Sequence, residues 1–211
     1  MRWQICLLAL LTLAHACYAG ENQWVLKRDA DDVRIYQQPT ASGYPLTRGE
    51  TVITVAPGVL IAAISDRKNC SRWVYACRQG ELVKYYSETQ RLDYTVIDSP
   101  LWYADRDVYI RSDASLNRQA KTVTIRLSGQ ENYDKEFPGR VRIRDVYGLW
   151  HLRRITPDTT GLTYQIHSNP QLPPSALLSA YIAESTFQTL KKLSNIAHEP
   201  VYKQTAIPIP W

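Results

Sequence analysis

From Glu81 to Ile155 the chain reads as almost continuous β-strand, and the segment that closes it, Ala176–Leu193, contains neither glycine nor proline. Strands that follow one another this closely pair antiparallel, and an antiparallel sheet needs one face covered. The terminal helix is the cover the chain supplies, which predicts an α+β architecture. Alternation fixes the faces. Val123, Ile125 and Leu127 share one side of a strand, opposite Thr122, Thr124 and Arg126. Leu162, Tyr164 and Ile166 repeat the pattern against Thr163 and Gln165. By the same rule Val141 and Ile143 face inward, against Arg140, Arg142 and Arg144. Continuing the phase places Asp145 inward, and the phase of Trp150 and Leu152 does the same for Arg154.

The stretch Asp105-Arg106-Asp107-Val108-Tyr109-Ile110-Arg111 puts a charge where a hydrophobe is expected, since Arg106 shares a face with Val108 and Ile110. Either Arg106 opens the strand and snorkels to solvent, or it is an inward cation that needs a carboxylate, a ligand or water beside it. Asp145 or Glu88 would make it half of a buried ion pair.

Ahead of the strands, Trp24–Asp32 reads as a polar lead-in with a short helix. Val33–Gln37 and Pro45–Val55 read as strands, and Pro57-Gly58 starts a small helix over Val59–Ile64. Asp66–Trp73 reads as a second short helix. Glu81–Tyr94 is one long run and Trp102–Arg111 another. In the terminal helix, Leu177, Leu178, Ala180, Tyr181, Ile182 and Ala183 are apolar nearly all round, which predicts burial on more than one side. The apolar face then narrows to Phe187, Leu190 and Leu193. The tail 198–211, with three prolines, reads as an extended strap or as disorder.

Residues 1–19 read as an export address: Arg2, the apolar run Ile5–Leu13, then small residues at Cys17-Tyr18-Ala19 or Ala14-His15-Ala16. The run is too short to span a membrane. A lipoprotein processed at Cys17 is the alternative, disfavoured by His15 ahead of the site. The expected location is therefore the periplasm or the extracellular space. Cys70 and Cys77 are then the remaining cysteines, and an oxidising compartment predicts that they are joined. Two thiols at that spacing do not complete a metal site. The net charge of +5 becomes +4 without Arg2, too mild for a nucleic-acid partner.

No catalytic signature stands out. His151, His167 and His198 are scattered, and there is no nucleophile elbow, metalloprotease motif, phosphate-cradling loop or dinucleotide fingerprint. Asp93, Asp107 and Glu88 are acid/base candidates without a partner in view. No cofactor is implied.

The order of several short motifs resembles the START lipid-transfer domain. They are Trp24, Asn69-Cys70-Ser71-Arg72-Trp73, Asp105-Arg106-Asp107-Val108 (the family's Arg-Asp-Phe-Val), Gly148-Leu149-Trp150-His151-Leu152 and Tyr164-Gln165-Ile166-His167-Ser168-Asn169-Pro170, followed by the last helix. The resemblance covers about Trp24 to Ile196 and gives a domain over 20–197. It implies a helix-grip fold, a curved antiparallel sheet wrapped around the C-terminal helix with an internal tunnel for one lipid. The family arginine often lies in that tunnel with an acidic partner, which on this chain is Arg106 with Glu88, Asp93 or Asp145. The chain departs from the family at Val74, at Val108-Tyr109 and at His167-Ser168-Asn169-Pro170, and its export address suggests a bacterial envelope protein.

The expectation is a non-enzymatic, monomeric lipid-binding or lipid-transfer protein that touches membranes transiently. Val108, Ile110, Ile125, Leu127, Ile143, Trp150, Leu152, Tyr181 and Phe187 would line the tunnel, with Arg106 and Asp145 as its polar groups. Two rivals use the same scaffold. One is an enzyme of cyclase or hydrolase type acting on a hydrophobic substrate. The other is an envelope interaction protein with a vestigial cavity and the tail as docking strap.

Overall fold

The computed structural model describes residues 23–99 and 103–210. The export address, with Cys6 and Cys17, and the predicted strand start at Trp102 lie outside the described residues. The chain forms β1 (Val25–Ala30), β2 (Val33–Gln38), β3 (Leu46–Ile53), α1 (Pro57–Ser65), α2 (Cys70–Trp73), β4 (Cys77–Tyr85), β5 (Gln90–Ile97), β6 (Asp105–Asn117), β7 (Thr122–Gly129), β8 (Arg140–Arg142), β9 (Arg144–Thr156), β10 (Thr159–Asn169), α3 (Ala176–Ile196) and α4 (Pro200–Gln204). Nine strands run in the order β1-β2-β3-β10-β9-β7-β6-β5-β4, each antiparallel to its neighbours, and β8 pairs parallel with β6. The sheet is not closed, so β1 and β4 are edges, and α3 lies on its inner face.

The inner face follows the predicted alternation through its centre. Ile125 pairs with Trp150, Trp150 with Tyr164, and Tyr164 with Gly49. Ile125 and Trp150 belong to one apolar cluster with Val33, Ile35, Leu60, Trp73, Phe187, Leu190 and Leu193, and Tyr164 packs against it. At Gly49 α3 lies close against the sheet. A Cβ there would stand 2.3 Å from Leu190 Cδ1, so the absent side chain sets the approach of helix to sheet. Ser175 caps α3, its Oγ accepting from Leu178 N at 3.1 Å.

Several expectations are corrected. The lead-in is strand β1, not a helix; Asp31 and Asp32, both at positive φ, turn it into β2. It is an exposed edge, which is why its polar composition hides the strand. The run Glu81–Tyr94 is a hairpin of β4 and β5, closed where Gln90 N donates to Ser87 O. Val141 and Ile143 do not lead a dry face. Ile143 falls in the break between β8 and β9, and Asp145 at φ 51° resets the phase. Arg142 is the residue buried there, and the Asp145 side chain is 56% exposed. Arg154 is half-buried near the end of β9.

The first half of α3 is not buried on several sides. Leu177 is 82% exposed and Ala180 is exposed, whereas Phe187, Leu190 and Leu193 are fully covered. The tail is a strap bound to its own domain. Tyr202 is buried in α4, and Ile207 N donates to Gly58 O. Arg118 Nε donates to Pro210 O at 2.7 Å. A Cβ at Gly58 would stand 2.1 Å from Ile207 O, so that residue is bare where the strap crosses α1.

Candidate functional site

Strand β5 is amphipathic in the reverse sense to its neighbours. Its apolar row, Leu92, Tyr94 and Val96, faces outward and packs with Tyr109 under Phe137. Its polar row, Arg91, Asp93 and Thr95, faces the interior: Asp93 pairs with Ile110 and Thr95 with Val108 across the strands. Ile110 packs against the main core, which fixes the direction. A polar row turned inward is stable only if its members find partners.

Those partners come from the inner row itself and from the connection between α1 and α2. Arg91 Nε donates to Asp93 Oδ2 at 3.0 Å, and their side chains are 14% and 5% exposed. Arg91 Nη1 reaches Ser65 O, the last residue of α1, at 3.5 Å. Arg67 extends its guanidinium inward from the loop, donating from Nη2 to Thr95 Oγ1 at 2.8 Å and standing 5.6 Å from the Trp73 ring centre. The disulfide between Cys70 and Cys77 ties α2 to β4 directly behind this loop. Trp73 meets Trp150 edge to face at 6.2 Å, and Trp150 stacks on Tyr164 at 3.8 Å.

The electrostatics follow from burial. Desolvation raises the Asp93 carboxyl above its ordinary value, although Arg91 and Arg67 pull it back down. Burial lowers Arg67 from the usual guanidinium value, with Asp93 opposing. Tyr164 is pushed up to about 12 by burial. Three buried polar atoms here have no hydrogen-bond partner: Arg67 Nε, Asp93 Oδ1 and Trp73 Nε1.

Arg106 does face inward and is buried, but among the described residues it is not half of an ion pair. Its Nε donates to Pro170 O at 3.2 Å, and its Nη1 to Ser99 Oγ at 3.2 Å and Ala104 O at 2.6 Å. It joins the segment before β6 to the loop leading into α3. None of the three predicted acids is its partner. Glu88 is exposed in the β4–β5 turn, Asp93 is bound to Arg91, and Asp145 lies 3.2 Å from His167 Nε2. His167 is buried, stacked on Tyr147, with Ser42 Oγ also at its Nε2. His151 Nδ1 meets Thr124 Oγ1 at 2.9 Å.

Of the predicted tunnel residues, Ile125, Leu127, Trp150, Leu152 and Phe187 lie together in the main cluster, Ile110 packs against it, and Val108 is buried beside Thr95. Tyr181 is half-buried against Tyr75. Ile143 and Asp145 are elsewhere, for the reason given above. Sequence reading missed Arg67, Arg91, Thr95 and the Trp73 ring nitrogen. The period-two row Arg91, Asp93, Thr95 was visible, but a polar row ordinarily marks the wet face.

Among the described residues no helix is long and apolar enough to cross a membrane, and no group of side chains suited to a metal ion is found. Open depressions of about 450 and 370 Å³ lie elsewhere. The first spans Arg126, Tyr147 and Leu149, and the second lies beside Arg28, Ser179 and Glu184.

A long C-terminal helix gripped by an antiparallel sheet, with a polar row inside, defines a helix-grip domain. No family model matches the chain. An uncharacterized protein of Pseudomonas aeruginosa is 28% identical over 194 residues, 91% of this chain and 95% of that one. Among solved structures, the STAR-related lipid transfer protein of Xanthomonas axonopodis superposes with a TM-score of 0.76 at 24% identity, covering 83% of this chain and 99% of that one. Human STARD10 gives 0.74 at 14% identity over 86% of this chain and 76% of its own. Human StAR-related lipid transfer protein 5 gives 0.68 at 16% identity, over 82% and 86%. The fold is that of the StAR-related lipid transfer (START) domain.

Proposed function

We propose that the protein is an exported lipid-binding or lipid-transfer protein that holds one hydrophobic ligand between the sheet and α3. The observation that carries this reading is the inverted strand β5. An interior that needed only stability would turn Leu92, Tyr94 and Val96 inward and Arg91, Asp93 and Thr95 to water. Here the polar row sits among apolar walls with unpaired atoms, an arrangement suited to fixing the head of a molecule whose chain lies along Ile110, Trp150 and Phe187. Each methylene so buried contributes about 0.8 kcal/mol. The names of the structural neighbours support a lipid as the ligand kind.

The reading is of a binder and not of a catalyst, acting as a monomer with transient membrane contact. The exposed apolar start of α3, with Leu177 outermost, supports that contact. Export to the periplasm is supported by the signal-like first nineteen residues and by the disulfide, which suits an oxidising compartment. Native mass spectrometry of the purified protein, followed by organic extraction, tests the proposal. A stoichiometric lipid is expected. Protein that carries none and takes none from vesicles would overturn it.

A further inference from the structure

The inner polar row carries more positive charge than it can neutralise. On the inner row Arg67 and Arg91 meet one carboxylate, Asp93; Asp66, next to Arg67 in the loop, attracts it more weakly and is bonded to Asn69 and Tyr202. Within the inner row the guanidiniums outnumber the carboxylate by one. A buried guanidinium without a counter-charge costs several kcal/mol.

The hydrogen-bond count leans the same way. Arg91 is engaged at Nε by Asp93 and at Nη1 by Ser65 O. Arg67 is engaged at Nη2 by Thr95, while its Nε and the neighbouring Trp73 Nε1 are buried donors without acceptors. Against these two unpaired donors stands one unpaired acceptor, Asp93 Oδ1. The surplus is therefore of donors and of positive charge. A hydroxyl or an ester carbonyl offers acceptors without charge, whereas an oxyanion supplies both. A planar guanidinium is the side chain best matched to an oxyanion.

Resting on the lipid-binding reading, we propose that the ligand is an amphiphile with an anionic oxygen head, a carboxylate or a phosphate, and that Arg67 selects it. Arg91 and Asp93 form the fixed half of the site, and Arg67 closes it from the α1–α2 loop. Arg106, bound to three neutral oxygens, takes no part in head selection.

The test is binding of three probes with matched chains, oleate, oleyl phosphate and oleyl alcohol, to the delipidated full chain. It is read by the fluorescence of the interior Trp73 and Trp150 and by calorimetry. At least one anion should bind about tenfold or more tighter than the alcohol, and which one does so separates a fatty acid from a phosphorylated lipid. Arg67→Gln should bring that ratio close to one, and Arg67→Lys should keep part of it. If Arg67→Gln does not fold by circular dichroism, the wild-type ratio decides alone. An alcohol bound as tightly as both anions overturns the head assignment and leaves lipid binding standing. Failure of all three probes, with no lipid extracted, overturns both.

Discussion

Arg142 and Asp107 face each other across the parallel β6–β8 pair and bond twice, Nε to Oδ1 at 2.8 Å and Nη2 to Oδ2 at 3.2 Å, with side-chain exposures of 0% and 1%. The same guanidinium donates to the carbonyls of Glu131, Asp134 and Lys135, and Tyr94 donates its hydroxyl proton to Asp107. The pair pins the 130–139 loop over the apolar row of β5, which lets that strand turn its polar row inward. Arg142→Met strips Asp107 of its buried counter-charge and should cost about 3–5 kcal/mol. In a chain of this size that lowers Tm by on the order of 10 °C, measured by calorimetry. A loss below about 1 kcal/mol would mean the pair does not hold the loop.

Asp93 predicts a pH dependence. Its folded pKa is raised by burial above the ordinary 3.8, so the native state holds this proton more tightly than the unfolded chain. Stability should fall as pH rises from near 3.8 to the raised folded value and then level off. Asp93→Asn removes this component. Thermal melts of both proteins in steps from pH 3.5 to 7 should diverge in that window, and parallel curves would refute the assignment.

Arg106 holds the loop before α3 through three neutral oxygens. Arg106→Met should cost about 1–3 kcal/mol through the lost charge-assisted hydrogen bonds. Amide exchange at 171 and 172, beside the Pro170 carbonyl, should accelerate. The preference among lipid heads should stay as in the wild type; a changed preference would return Arg106 to the binding site.

Gly58→Ala should loosen the strap. The added methyl meets the Ile207 carbonyl, which is backbone and cannot rotate away. A cost of about 1–3 kcal/mol is expected, with faster removal of the last residues by carboxypeptidase. Unchanged digestion would show that the crossing over α1 tolerates a side chain.

The central ladder was legible because β7, β9 and β10 alternate cleanly and keep one phase: Ile125, Trp150 and Tyr164 lie where the pattern puts them. Phase reasoning failed where the backbone breaks, at Ile143 and Asp145, and so missed that Arg142 is the buried arginine. It failed at β5 for another reason. Alternation shows that a strand has two faces but not which one meets the core, and β5 is covered on both. Arg67 was hidden because Asp66–Trp73 reads as one helix, whereas α2 begins only at Cys70 and Arg67 lies in the loop before it, where side chains follow no period. The exposed start of α3 has the composition of a buried helix, and composition alone cannot show that the sheet ends beneath it.

α3 is fastened in two different ways along its length. Phe187, Leu190 and Leu193 sink into the core over Gly49, whereas the first half is held by two polar clips, Gln37 with Ser179 and Arg28 with Glu184, beside the edge of Tyr75 on Tyr181. Such clips exchange readily with water, while apolar burial does not. Mechanically the helix is a cantilever. From Ala176 to the anchored part is roughly 15 Å of beam at about 1.5 Å per residue. A tilt of about 10° at a fulcrum beside Phe187 would carry the tip bearing Leu177 by roughly 2–3 Å and leave the buried half close to its place.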